Sequence, residues 1–321
     1  MIWDRALSVA AVLCLGAGVL RADAVEIRQG NGAIEIVIGG KPFTTYHYQG
    51  TAKPYLMPLR TAEGTVITRA FPVQNDIGTA NPKGPSFEPH QRPLFFGHGN
   101  VNGLDFWEEE AFGPYMNDHF KQPYGRLELE GIQVAEGTIR ARFKMLDPSG
   151  RMIAEQIQAF TFRGDSAVRE IDCEFTILAT QGPVTFGDTK EGTFAIRLTP
   201  ELSGTRVRMV NSNGGEGEKA IWGKPADWVD FSGVVEGKQV GVAVLDGPAS
   251  FRHPTTWHAR AYGLLSANPF AAREFLKDEK QDGSWTVPEG KSIKFQYRVV
   301  IHSGDAQSAG IAAAYGRFAG K

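Results

Sequence analysis

Apolar residues recur at every second position through much of this chain, and that alternation constrains the fold more than any other feature. A strand turns successive side chains to opposite faces, so alternation marks a sheet with one buried side. Ile34, Ile36 and Ile38 alternate with Glu35 and Val37 behind a Gly30-Asn31-Gly32 turn. Segments 139–146 and 153–162 flank Asp147-Pro148-Ser149-Gly150, a composition that favours a tight turn between antiparallel strands. Further strands are expected over 168–178, 193–199, 229–235, 240–245, 262–266 and 293–301. Only 306–318, alanine-rich behind Asp305, reads as a helix. The pattern predicts an all-β protein: a large antiparallel two-sheet β-sandwich with few short helices.

The ends divide the chain. Arg5 precedes an apolar run over 6–20, and Ala22-Asp23-Ala24 offers small residues where a signal peptidase cuts. Residues 1–24 are therefore expected to be a signal peptide, and 25–321 one β-sandwich domain in the periplasm or outside the cell. The apolar run is short for a membrane span and nothing later approaches one. Beyond the leader Cys173 is the sole cysteine, so no internal disulfide is expected and the residue reads as core. The 34 basic and 36 acidic residues nearly cancel, which argues against a nucleic-acid partner and for a neutral or weakly charged small molecule or oligosaccharide.

Three clusters carry polar chemistry. In 87–107, His90, Arg92 and His98 share strand parity, with Asn100, Asn102, Asp105 and Trp107 following. Pro93 disrupts a ladder there, and Gly97 and Gly99 allow close approach on either side of His98. The second cluster is Asp188-Thr189-Lys190-Glu191-Gly192 at the mouth of a strand; a solvated charged turn would look the same. The third runs from Trp257-His258-Ala259-Arg260 to Asn268, with Trp222 as further planar surface. Aromatic faces suit the C–H faces of a sugar, and Arg, Asn and Asp suit its hydroxyls. The tryptophans read equally well as core. The sequence holds no HExxH, P-loop, GxSxG or dinucleotide fingerprint. No organic cofactor is expected, and a divalent ion among His90, His98 and His258 stays open.

Taken together, the ordered motifs from Lys53-Pro54-Tyr55 through Pro89-His90-Gln91-Arg92, Gly97-His98-Gly99-Asn100, Asp105-Phe106-Trp107, Asp188-Thr189-Lys190-Glu191-Gly192, Trp257-His258-Ala259-Arg260 and Ala267-Asn268-Pro269-Phe270 resemble a bacterial family. It comprises exported proteins of unassigned activity, often labelled "methane oxygenase PmoA-like". A second histidine often follows the first in that family, whereas Gln91 stands here. A membrane methane oxygenase subunit needs several spanning helices, so that activity is not expected. The family in turn resembles β-sandwiches of the galactose-mutarotase type, which also host glycoside hydrolases and lyases.

The resulting expectation is a carbohydrate-active enzyme working on a glycoside or modified sugar by histidine/carboxylate acid–base chemistry: hydrolysis, elimination or epimerisation. His90, His98, His258, Asp188, Lys190 and Glu191 are the candidate catalytic groups. Arg92, Asn100, Asn102, Asp105, Trp107, Trp222, Trp257, Arg260 and Asn268 would bind substrate. The alternative is a non-catalytic sugar-binding protein of the periplasm or cell surface.

Overall fold

A computed structural model describes residues 23–70, 88–115 and 122–320. The strands are, in chain order, β1 (Val25–Gln29), β2 (Ala33–Ile38), β3 (Lys41–His47), β4 (Tyr55–Leu56), β5 (Leu94–His98), β6 (Arg126–Ala135), β7 (Thr138–Leu146), β8 (Met152–Gly164) and β9 (Arg169–Leu178). They continue as β10 (Val184–Phe186), β11 (Gly192–Arg197), β12 (Val207–Asn211), β13 (Trp228–Val235), β14 (Lys238–Asp246), β15 (Trp257–Arg260), β16 (Leu264–Ala267), β17 (Trp285–Val287) and β18 (Ser292–Ser303). One eight-stranded antiparallel sheet runs β1-β2-β3-β4-β5-β11-β16-β15, and a second runs β12-β13-β14-β18-β9-β8-β7-β6. β10 and β17 form a separate ribbon. The expected two-sheet sandwich is thus the observed architecture.

Alternation builds the core as the sequence suggests. In β9 the buried positions are Arg169, Ile171, Cys173, Phe175 and Ile177, every second residue. Opposite them, Phe96 stacks on Phe175 at 4.4 Å and Phe194 on Tyr297 at 4.7 Å, joining the two sheets across one apolar layer. The turn at 147–150 forms as its composition implies. Gly150 takes φ +88, and Asp147 Oδ1 accepts the Ser149 and Arg151 amides.

The expected helix at 306–318 begins late. Asp305 Oδ1 accepts the Ser308 amide at 2.9 Å, holding the first residues in a turn, and the helix spans Ile311–Phe318. Its Ile311 and Tyr315 cover Ala243, Leu245 and Val300 on the outer side of the second sheet. Among the described residues no helix is long and apolar enough to cross a membrane. The expected leader at 1–24 lies outside the described residues except for Asp23 and Ala24. Asp23 donates its amide to Gly164 O, and Ala24 O accepts the Gly39 amide.

β5 and β11 break the alternation, because every residue in both is buried. Their second face must therefore be covered as well. The cover is the segment after β5, which folds back so closely that a Cβ on Gly97 would lie 2.4 Å from the Phe106 carbonyl oxygen. That approach lays Trp107 over Phe95 at 4.8 Å. With Tyr55, Met57, Ala195 and Leu264 these rings form a second apolar cluster on the outer face of the first sheet.

Candidate functional site

Strand register fixes what this outer floor carries. Tyr55 pairs Phe95, Phe95 pairs Ala195, Ala195 pairs Ser266 and Ser266 pairs His258, one continuous row across four strand boundaries. Arg197 pairs Leu264, and Leu264 pairs Arg260, in the next row on the same face. Neighbouring strands lie about 4.8 Å apart, so His258 is roughly 14 Å along the sheet from Phe95.

Buried charge gathers on this floor. Lys53 Nζ sits 4.7 Å from the Phe95 ring centroid, bonds the Trp107 carbonyl and stands 3.3 Å from Glu109 Oε1. Arg92 makes a bidentate pair with Glu109, both bonds 2.7 Å, and lies over the Tyr55 and Phe112 rings. Its Nε and Nη2 are committed to Glu109, so Arg92 braces the site, where the sequence suggested a ligand for substrate oxygens. Arg197 stacks on Tyr262 at 4.4 Å, and the Tyr262 hydroxyl accepts from Gln91 Nε2 at 3.2 Å.

His90 faces these cations with both ring nitrogens buried and without a hydrogen-bond partner. The nearest carboxylate, Glu88, is 3.6 Å from Nδ1. Burial first, then the charges of Lys53, Arg69, Arg197 and Arg92, hold its pKa well below the ordinary histidine value, so the ring is neutral. Asp105 accepts the Trp107 and Glu108 amides through Oδ1, leaving Oδ2 buried and unpartnered. Gln91 Oε1 and Trp107 Nε1 are buried and unpartnered too. A buried polar atom left unpaired costs about 1–3 kcal/mol, so this group of atoms is the candidate site on the sheet face.

Two carboxyls complete the cluster. Burial, with the charges of Asp105, Glu191 and Glu88, lifts Glu108 to about 8 against the pull of Lys53. Burial lifts Glu191 to about 7 against Lys190, whose Nζ is 3.5 Å away, with Glu88 and Asp105 adding to the rise. Each of the two therefore gains or loses its proton near neutral pH, and as interacting groups they titrate as a pair.

The loop presenting Glu191 is clamped along nearly its whole backbone. His98 Nε2 bonds Gly187 O at 2.8 Å, Asn268 Nδ2 donates to Thr189 O at 2.9 Å and His258 Nδ1 bonds Lys190 O at 2.8 Å. The Gly99 amide donates to Glu191 O at 2.7 Å and Ser266 Oγ to Gly192 O at 2.6 Å. Asp188 Oδ2 accepts the Arg273 and Gly283 amides. The three sequence clusters meet at this loop: His98, His258 and Asn268 bond its backbone, and Asp188 ties it to Arg273 and Gly283.

His98 is the main correction. It shares parity with Leu94 and Phe96, which face the opposing sheet, and it packs between Phe186 at 5.4 Å and Phe270 at 5.0 Å. Burial drives its pKa down to about 4. It lies on the opposite side of the sheet from Phe95 and His258, as a core positioning residue. His258 is buried at the sheet edge, edge-on to Trp222 at 4.7 Å, and burial lowers it to about 3. Trp257 is core, its Nε1 donating to Ala226 O. Asn100 and Asn102 hold turns: Asn100 Oδ1 accepts the Gly103 amide, and Asn102 bridges Pro183 O and the Thr185 amide. Trp222 and Arg260 line a neighbouring cleft. Among the described residues no group of three or more His, Cys, Asp or Glu side chains is arranged to hold a metal ion.

His98→Ala should accordingly act on stability. Removing a ring from a filled aromatic layer, together with its bond to Gly187, is expected to cost about 2–3 kcal/mol in thermal or urea unfolding. An unchanged unfolding midpoint would contradict the core placement.

Sequence reasoning passed over Glu108 and Glu109. Three consecutive glutamates after Trp107 look like a solvated turn, yet Glu108 and Glu109 are buried and Glu110 alone is exposed. Their adjacency to the apolar Phe106-Trp107 pair was the available signal.

Residues 33–316 match the family model described as a family of unknown function, DUF6807. That description carries no activity and no methane-oxygenase name. No curated relative matches the sequence. Among solved structures, the chain is similar to an α-galactosidase from Geobacillus stearothermophilus, with 10% identity and a TM-score of 0.42 over 89% of this chain. It spans 42% of that enzyme's length. A putative aldose 1-epimerase from Klebsiella pneumoniae is similar with 11% identity and a TM-score of 0.39, over 92% of this chain and 86% of that one. A galactose mutarotase-like protein from Lactobacillus casei gives 9% and 0.38, over 87% and 100%.

Proposed function

This chain belongs to the DUF6807 family, and for it we propose the activity of an exported enzyme that transforms a glycoside or modified sugar by acid–base chemistry. The reading is carried by buried, unpartnered polar atoms of His90, Gln91, Asp105 and Trp107 in the same fold-back segment as the buried Glu108, and is supported by burial raising Glu108 and Glu191 toward neutral pH. A general base and a general acid work best when their pKa values lie near the working pH. Glu191, the lower of the two, is the base and Glu108 the acid. Neutral His90, Gln91 Oε1 and Trp107 Nε1 are free to exchange hydrogen bonds with sugar hydroxyls. Tyr262 and Trp107 supply apolar surface beside them. Glu109 pairs with both Arg92 and Lys53, which fixes the floor and leaves it one net positive charge.

The test is the pH dependence of kcat/KM on a sugar found by screening glycosides with mass-spectrometric readout. The rate should rise and then fall across neutral pH in a narrow bell whose two limbs belong to the Glu191–Glu108 pair, since burial lifts both carboxyls into that range. Saturable binding without turnover would instead identify a sugar-binding protein. A profile flat from pH 6 to 9 would remove these carboxyls from the chemistry.

A further inference from the structure

The outer face of the first sheet continues past the carboxyl cluster into a cleft of about 730 Å³. Five cations, Lys190, Lys219, Lys224, Arg260 and Lys277, line it around Trp222. Its carboxylates among the described lining residues are Glu218 and Glu274. Glu218 is already engaged, 3.1 Å from Arg260 Nε and accepting the Ala261 amide at 2.6 Å. The excess is local, since the whole chain has a formal net charge of −2. A concave wall of one sign concentrates ligands of the other, more strongly than the same charges spread over a convex surface.

The cleft is built for more than counter-ions. Trp222 is backed edge-on by His258 and by Phe275 at 5.2 Å, so its ring is held in place. The Arg260 guanidinium lies 5.1 Å from the Trp222 ring centroid, placing a planar cation against a planar apolar wall. Lys190 joins the two regions: it lines the cleft, while its neighbour Glu191 is buried among the carboxyls, 3.5 Å from its ammonium. A saccharide reacting at Glu191 would extend along Trp222 with its next unit among the lysines.

We propose that this cleft binds an anionic group, a carboxylate or a sulfate, on the saccharide, which makes the substrate class an acidic glycan. The proposal rests on the carbohydrate reading above and departs from the weakly charged ligand that the balanced composition suggested. Removing the charges of Lys224 and Lys277, both exposed and neither hydrogen-bonded nor ion-paired to Glu191 or Glu108, tests it.

The experiment is calorimetric titration of wild type and the Lys224→Gln/Lys277→Gln variant with three oligosaccharides of equal length: uronate-containing, sulfated and neutral. Wild type should bind one of the acidic ligands more tightly than the neutral one, and that preference should weaken as salt rises. The variant should lose about five- to tenfold in affinity for the acidic ligand while binding the neutral one unchanged. Whichever acidic ligand is preferred identifies the anionic group. Equal affinity for acidic and neutral ligands, or an unaltered variant, overturns the acidic-glycan proposal and leaves the sugar reading standing. Absence of binding to all three overturns both. An acidic ligand bound but never turned over leaves the cleft assignment intact and removes the enzymatic one.

Discussion

Glu191→Gln is expected to lower turnover by about 10²–10⁴-fold, the usual contribution of a positioned general base, while leaving the fold intact. Gln matches the size of the protonated acid, and the loop is held by backbone bonds that the substitution does not touch: Gly99 N to Glu191 O, and Glu191 N to Thr189 Oγ1. Burial already favours the neutral form of the native carboxyl, so an amide is no stranger to the site. Lys190→Ala is the companion experiment. The ammonium 3.5 Å away pulls the Glu191 pKa down, so its removal should move the acidic limb of the pH profile to higher pH with a smaller loss at the optimum. A folded Glu191→Gln protein turning over at near wild-type rate would sink the assignment of the base.

Glu109→Ala should instead be severe for stability, at about 3–5 kcal/mol. Glu109 is the one carboxylate paired with both Arg92 and Lys53, all three buried. Without it both cations lose the carboxylate they are paired with, and only the more distant charge of Asp105 still acts on Lys53. The sign of the pH dependence follows from the carboxyl's own shift. Burial alone would raise it, but Lys53 and Arg92 outweigh burial and hold it below the ordinary value. A depressed carboxyl contributes stability above its unfolded pKa, roughly 4.3, and loses it as pH falls through the folded value. The gap between wild type and variant should therefore be widest near pH 7 and close as the pH falls below about 4. Urea unfolding at pH 7 and at pH 4 measures both quantities. A gap under about 1 kcal/mol at pH 7, or one that widens on acidification, would show that the network does not carry this charge.

The sequence by itself determined the sandwich. Period-two alternation places β7, β8, β9 and β18 within a residue or two of their observed bounds, because one face of each is buried along most of its length and the pattern records it; β14, buried on both faces from Val240 on, is placed as closely by its apolar run. The sequence also picked out residues that the structure gathers: His98, His258 and Asn268 bond the backbone of the loop that carries Lys190 and Glu191, and Asp188 anchors it. What it could not supply was the role of each. His90, Arg92 and His98 share parity on paper, but β5 begins only at Leu94, so the alternation that sends His98 into the core does not extend back to His90. Likewise Glu108 and Glu109 do not stand out in the sequence, since a glutamate's letter says nothing of what folds over it. Only the tertiary structure decided that the chain after β5 returns across its own strand, burying one glutamate against Lys53 and Arg92 and the other among carboxylates. Proton affinity depends on burial and on the sign of neighbours distant in sequence. Those are properties of the packed sheet face, and local pattern does not encode them.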